Sequence, residues 1–148
     1  MSKSLLLIDD NAIQCHLVKS LLAGRGFNVE CTQDAELGLA WMRHRQYDAL
    51  LLDLKMPTKT GWDVLREMNA LEISVPTAVI TCYDLSPEER NSLRSLGAKV
   101  IHTEPLTLEA LLGITNQLLT KEVTYGRGGM AGISGLGLGG VKGFAWCG

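Results

Sequence analysis

A chain of 148 residues is long enough for one domain with a substantial core. Hydrophobic residues make up 46% of it and charged residues 20%, and the net charge of −2 gives no electrostatic reason to expect a nucleic-acid partner. No apolar stretch approaches the roughly 20 residues that span a bilayer, and residues 5–8 are too short for the apolar part of a signal peptide. We therefore expect a cytoplasmic protein without membrane insertion.

The first predicted strand covers residues 4–9, a continuous apolar run that is typical of a strand buried on both faces. Asn11 can cap a helix that begins at Ala12, and glycines at 24 and 26 end it. Three apolar residues recur at helical spacing and are expected to face the core: Ile13, Leu17 and Leu21. A second strand follows at residues 27–31.

Asp34 is the predicted cap of the second helix, which is expected to bury Leu37, Trp41 and Met42. Residues 48–53 form the third strand. A loop over residues 57–61 leads to an amphipathic helix whose apolar face consists of Val64, Leu65 and Met68.

The fourth strand is predicted at residues 76–81. Ser86, Pro87 and Glu89 form a strong helix start, with a capping serine, a proline at the first position and an acid at the third. The fifth strand covers residues 99–103, and Thr107 caps a last helix that fades near Thr120.

Five strand–helix pairs predict an α/β fold: a doubly wound five-stranded parallel sheet with helices on both faces. In the flavodoxin-like order 2-1-3-4-5, ligands bind at the carboxyl ends of the strands beside the first and third. Five chemically active residues end or follow strands at this edge of the sheet: Asp9, Asp10, Asp53, Thr81 and Glu104.

Crowded carboxylates repel one another unless something positive lies between them. Mg²⁺ prefers one or two carboxylates together with water and phosphate oxygens, and an aspartate beside such an ion can attack a phosphoryl donor. The alternative is that Asp9 and Asp10 merely favour the positive end of the first helix. Convergence of three acids and a threonine favours a site.

These residues resemble the receiver domain of response regulators, of the CheY-like kind. The resemblance covers residues 4 to about 120 and rests on an ordered set of motifs: Asp9-Asp10, Asp53 with Met56-Pro57 and Gly61, Thr81, Gly97-Ala98 and Pro105. It implies that Asp53 accepts phosphate from a histidine kinase or a phosphotransfer protein. It also implies Mg²⁺ bound by Asp9, Asp10, Asp53 and the backbone carbonyl of Lys55, with Thr81 as the switch hydroxyl.

Two positions depart from the family, which has a lysine at the position of Glu104 and commonly an aromatic residue at that of Ile101. Glu104 is either a fourth acid of the site or a solvated loop residue. Lys55 or Lys59 could supply a replacement cation, although solvated loop lysines are the simpler interpretation. Tyr83 stands where family members tune the access of water to the phosphoryl group. The family also implies a cis peptide bond between residues 104 and 105.

The first functional hypothesis is a stand-alone receiver domain at residues 1–121, which accepts phosphate and acts on a downstream protein target. The alternative is an atypical receiver that works as a protein-binding module regardless of phosphate. Beyond self-phosphorylation and self-dephosphorylation at Asp53 no enzyme activity is expected, because a phosphatase of the haloacid-dehalogenase type needs D-x-D where this chain has Asp53-Leu54-Lys55. Residues 122–148 contain ten glycines, predict a disordered tail and are too few for a DNA-binding output domain.

Overall fold

A computed structural model describes residues 2–120, so the predicted glycine-rich tail lies outside the described residues. The described part alternates strands and helices: β1 (Ser4–Ile8), α1 (Ala12–Ala23), β2 (Asn28–Thr32), α2 (Ala35–His44), β3 (Ala49–Asp53), α3 (Gly61–Ala70), β4 (Thr77–Ile80), α4 (Pro87–Ser95), β5 (Ala98–His102) and α5 (Leu108–Leu119). The five strands are parallel in the order β2-β1-β3-β4-β5. The predicted fold and strand order are confirmed. Within residues 2–120, no helix is long and apolar enough to cross a membrane.

The core lies on both faces of the sheet, because successive residues of a strand point to opposite sides. Leu5 and Leu7 of β1 belong to a cluster that α1 and α5 cover. Leu6 and Ile8 belong to a second cluster, which α2, α3 and α4 cover. This two-sided burial explains why the inner strands β1, β3 and β4 read as continuous apolar runs. The edge strands β2 and β5 are only partly buried and carry polar residues.

Each helix begins at a side chain that accepts a backbone hydrogen bond. Asn11 accepts from the amide of Gln14 at 3.1 Å, and Asp34 and Thr107 cap α2 and α5. Ser86 and Glu89 form the predicted reciprocal capping box at the start of α4. A second capping box, between Thr60 and Asp63 at the start of α3, was not predicted.

The predicted inner face of α1 is wrong. Ile13 is 79% exposed and Leu17 and Leu21 are only partly buried, whereas the buried face consists of Cys15, Val18 and Leu22. The helix carries two overlapping apolar stripes, and its docking against the sheet, rather than its own periodicity, selects between them.

The expected face of α2 is also wrong in part. Met42 is buried as expected, but Leu37 is 42% exposed and Trp41 is only half-buried. A Cβ atom on Gly38 would lie 2.5 Å from Cδ1 of Ile8, so α2 packs against β1 at this glycine with no room for a side chain. A small residue at the contact decides which side of the helix faces inward.

The expected cis bond before Pro105 is absent, since the described residues contain no cis peptide bond. Trans is the ordinary state of a bond that precedes proline, and cis forms only where a turn requires it. The loop between β5 and α5 is built without it.

Candidate functional site

Three carboxylates meet at the carboxyl ends of the two central strands. Asp53 is the last residue of β3, and Asp9 and Asp10 directly follow β1, its parallel neighbour. The amide of Asp9 donates to the carbonyl of Thr32 at 3.1 Å, which extends the pairing with β2 by one step. One carboxylate oxygen from each of the three acids lies within 4.8 Å of the other two.

The two inner carboxylates are buried and only half satisfied. Oδ1 of Asp9 accepts from the amide of Asn11 at 2.9 Å, and Oδ1 of Asp53 accepts from the amide of Lys55 at 3.3 Å. Oδ2 of each is buried without a hydrogen-bond partner among the described residues. Buried polar atoms are normally satisfied, so this pair of oxygen atoms indicates a site for a ligand.

The electrostatic consequence is a marked rise in two pKa values. Burial, with the nearby charge of Asp9 as the second contribution, raises the pKa of Asp53 to about 8. Burial also raises the pKa of Asp9 to about 6, where the charge of Asp10 adds to it and the hydrogen bond from Asn11 opposes it. Full ionisation of this cluster is therefore unfavourable unless a positive group binds beside it.

Thr81 lies directly after β4, next to the strand that carries Asp53. It is buried, and its amide donates to the carbonyl of His102 at 2.9 Å. Its Oγ1 accepts from the amide of Tyr83 at 3.3 Å. Since a hydroxyl can donate as well as accept, Thr81 provides a hydrogen-bond donor beside the carboxylates.

The two lysines of the loop after β3 have different surroundings. The ammonium of Lys59 forms ion pairs with Glu36 of α2 and Glu67 of α3. The ammonium of Lys55 lies 3.6 Å from the centroid of the Tyr83 ring, which is a cation–π contact.

Glu104 lies in the loop between β5 and α5 and is exposed. It makes no hydrogen bond or ion pair with another described residue, and the group of close carboxylates does not include it. Ile101 is half-buried in β5 and packs against the core cluster beneath α2, α3 and α4. The geometry therefore favours the interpretation of Glu104 as a solvated loop residue.

Sequence reasoning missed the contact between Lys55 and Tyr83. Lys55 lies two residues after Asp53, and Tyr83 lies two residues after Thr81, at the ends of neighbouring strands. This shared spacing could have predicted the contact. It also missed why Gly61 is a glycine. A Cβ atom there would lie 2.8 Å from the carbonyl oxygen of Asp53 and 2.9 Å from Cα of Leu54.

The chain is similar to curated regulatory proteins along most of its length. Transcriptional regulatory protein ZraR of Escherichia coli is 30% identical over 139 residues, which cover 88% of this chain and 31% of ZraR. Sensory/regulatory protein RpfC of Xanthomonas campestris is 30% identical over 134 residues, which cover 83% of this chain and 18% of RpfC. The chain thus spans about a third or less of the length of these relatives.

Solved structures with the same fold include a CheY-like response-regulator receiver domain from Methanospirillum hungatei, at 26% identity and a TM-score of 0.72 over 80% of this chain and 94% of that one. The receiver domain of a sensor histidine kinase from Pseudomonas aeruginosa, described with a magnesium ion in its active-site cleft, matches at 23% identity and a TM-score of 0.70 over 80% of this chain and 98% of that one. The family model for the response regulator receiver domain matches residues 5–116 of this chain. Because the family model covers most of this chain and the fold agrees with it, the chain belongs to the receiver domains of response regulators. These domains are the signalling modules of two-component systems.

Proposed function

We propose that Asp53 accepts a phosphoryl group in the presence of Mg²⁺ and that the phosphorylated domain signals to another protein. The observation that carries the proposal is the convergence of three carboxylates, two of them buried with an unpartnered oxygen atom. Unpartnered carboxylate oxygens that lie together in this way can bind a cation or a phosphoryl group.

The residues present fit a magnesium ion. Mg²⁺ prefers hard oxygen ligands, and Asp9, Asp10, Asp53 and the backbone carbonyl of Lys55 would supply them. Bound there, the ion would neutralise negative charge on the phosphoryl group being transferred. The magnesium ion described for the Pseudomonas aeruginosa receiver domain, which has the same fold, supports this assignment.

The transfer itself needs a carboxylate nucleophile and a hydrogen-bond donor. Oδ2 of Asp53 forms the new bond to phosphorus, while the bond from phosphorus to the donor's leaving atom breaks and its electron pair stays with that atom. The hydroxyl of Thr81 donates to a phosphoryl oxygen. In self-dephosphorylation, a water oxygen forms a bond to phosphorus while the bond from phosphorus to Asp53 breaks and its electron pair returns to the carboxylate. The water gives a proton to the solvent, and inorganic phosphate leaves.

The natural donor would be the phosphohistidine of a histidine kinase or a phosphotransfer protein, and a downstream protein would read the phosphorylated surface. The similarity to a sensory/regulatory protein and to a transcriptional regulatory protein supports this place in a signalling chain. We place the exchange in the cytoplasm. Turnover would be limited to self-phosphorylation and self-dephosphorylation at Asp53.

Glu104 does not prevent the transfer under this proposal. Its carboxylate is exposed and lies outside the group of close acids, so solvent and salt screen its charge. Glu104→Lys should therefore change the extent of phosphorylation only modestly.

The test is intact-mass spectrometry after incubation with acetyl phosphate and Mg²⁺. We expect one phosphoryl adduct on the wild type, none on Asp53→Asn, and an adduct on Glu104→Lys. Loss of the wild-type adduct when Mg²⁺ is chelated would support the metal assignment. If only Glu104→Lys is labelled, the proposal fails for the natural chain, which then works by binding alone.

A further inference from the structure

A phosphoryl group on Asp53 would add negative charge to a site that already holds three carboxylates and no ammonium group among its assigned ligands. Position 104 brings a carboxylate rather than an ammonium, and its side chain is exposed. Among residues 2–120, the lysines at this edge of the sheet lie in the loop that follows β3.

Lys59 already forms ion pairs with other residues. Its side chain is 15% exposed and its ammonium contacts both Glu36 and Glu67, so it links the loop to α2 and α3. Moving it to the phosphoryl group would break two ion pairs at once, although each contributes little because both glutamate side chains are at least partly exposed. Lys59 is therefore a structural ion-pair residue.

Lys55 has the position and the freedom that Lys59 lacks. It lies two residues after Asp53, the proposed phosphate acceptor, and its backbone amide donates to Oδ1 of Asp53 at 3.3 Å. The described contact of its ammonium is with the ring of Tyr83, whose own amide donates to Oγ1 of Thr81 at 3.3 Å. The Lys55–Tyr83 contact therefore bridges the two strand ends that bear the acceptor and the switch hydroxyl.

An exposed cation–π contact is weaker than a charge-assisted hydrogen bond between an ammonium and a phosphoryl oxygen. We propose that Lys55 supplies the cation that pairs with the phosphoryl group on Asp53, and that Tyr83 holds this ammonium beside the site before transfer. The proposal rests on the proposed function and goes further, because it names the residue that takes the place of the missing lysine.

The kinetic test compares labelling by acetyl phosphate at saturating Mg²⁺ in the wild type, Lys55→Met, Lys55→Arg and, as the matched control, Lys59→Met. Lys55→Met keeps the backbone carbonyl and most of the apolar stem. We expect its labelling rate to fall about tenfold, as for loss of a hydrogen bond to a charged group, with Mg²⁺ binding no weaker. Lys55→Arg should recover most of the rate, and Lys59→Met should label like the wild type.

The spectroscopic test uses beryllofluoride, which binds carboxylates as a phosphoryl mimic without covalent transfer. In the free protein, the Tyr83 ring should shift the ε-methylene protons of Lys55 upfield. Beryllofluoride with Mg²⁺ should remove that shift, and Tyr83→Leu should remove it without the mimic. An upfield shift that persists in the loaded wild type would overturn the proposal.

The outcomes separate this inference from the proposed function. A labelled wild type with an equally fast Lys55→Met overturns the role of Lys55 and leaves Asp53 as the acceptor. A wild type that binds beryllofluoride and moves Lys55, but is not labelled, supports the lysine while contradicting transfer from the small donor. A wild type that is neither labelled nor bound by the mimic overturns both.

Discussion

Ionisation of Asp53 should destabilise the folded protein when no metal is present. Its pKa rises from 3.8 to about 8 on folding, chiefly because the carboxylate is buried. Between those values the folded state holds a proton that the unfolded state has released. The free energy of unfolding should therefore fall as pH rises from about 4 to 8, and Asp9, whose pKa rises to about 6, should add to the fall at the acidic end.

The size of the effect follows from the interval between 3.8 and pH 7. About three pKa units at 1.36 kcal/mol each give about 4 kcal/mol at pH 7. Relaxation of the site and penetration of water reduce such figures, so we expect Asp53→Asn to raise the free energy of unfolding by about 2 kcal/mol at pH 7. The amide keeps the shape of the side chain and carries no charge.

Urea unfolding followed by far-UV circular dichroism, at pH 5, 6, 7 and 8 with a chelator present, measures this effect. The wild-type stability should fall steadily across the series, whereas that of Asp53→Asn should fall less. Asp84→Asn is the matched control, since Asp84 is exposed and its replacement should change stability by less than about 0.5 kcal/mol. Adding Mg²⁺ should stabilise the wild type more than Asp53→Asn. A wild-type stability that is flat or rises from pH 5 to 8 would refute the reasoning.

Three further predictions concern packing and capping, each measured by urea unfolding. Gly61→Ala should lower the free energy of unfolding by about 1–3 kcal/mol because the new methyl group meets backbone atoms. Gly113→Ala should raise it by about 0.5–1 kcal/mol, since nothing lies within 4 Å of the new methyl group. Equal effects would contradict the close approach at Gly61. Ser86→Ala should cost about 1 kcal/mol by removing the cap of α4, and no loss would mean that the cap is dispensable. Val18→Ala should cost about 2 kcal/mol and Ile13→Ala less than about 0.5 kcal/mol, and the reverse order would restore the other face of α1.

Local chemistry made most of the fold predictable. The five strands begin and end within one residue of their predicted bounds. The three inner strands, β1, β3 and β4, are apolar at nearly every position because they are buried on both faces. The caps of α1, α2, α4 and α5 were also predicted, since a capping side chain satisfies an amide only a few residues away. Both features depend on neighbours in sequence.

The orientation of the helices was less predictable. The apolar pattern of α1 allowed two stripes, and the sequence pointed to the one that contains Ile13. In α2 the decisive residue is Gly38, whose contact is with Ile8 of β1. A helix face is chosen by the surface that it docks against, which its own periodicity does not contain.

The candidate site shows the same division. The sequence by itself determined that Asp9, Asp10 and Asp53 share one edge of a parallel sheet, because each ends or follows a strand. Only the tertiary structure decided what the other charged side chains do. Glu104 is exposed, Lys59 pairs with two glutamates from different helices, and the ammonium of Lys55 lies on the ring of Tyr83. The end of a strand fixes the position of the backbone, which the sequence pattern predicts. The partner of a long side chain comes from elements that are distant in sequence, so the pattern does not predict it.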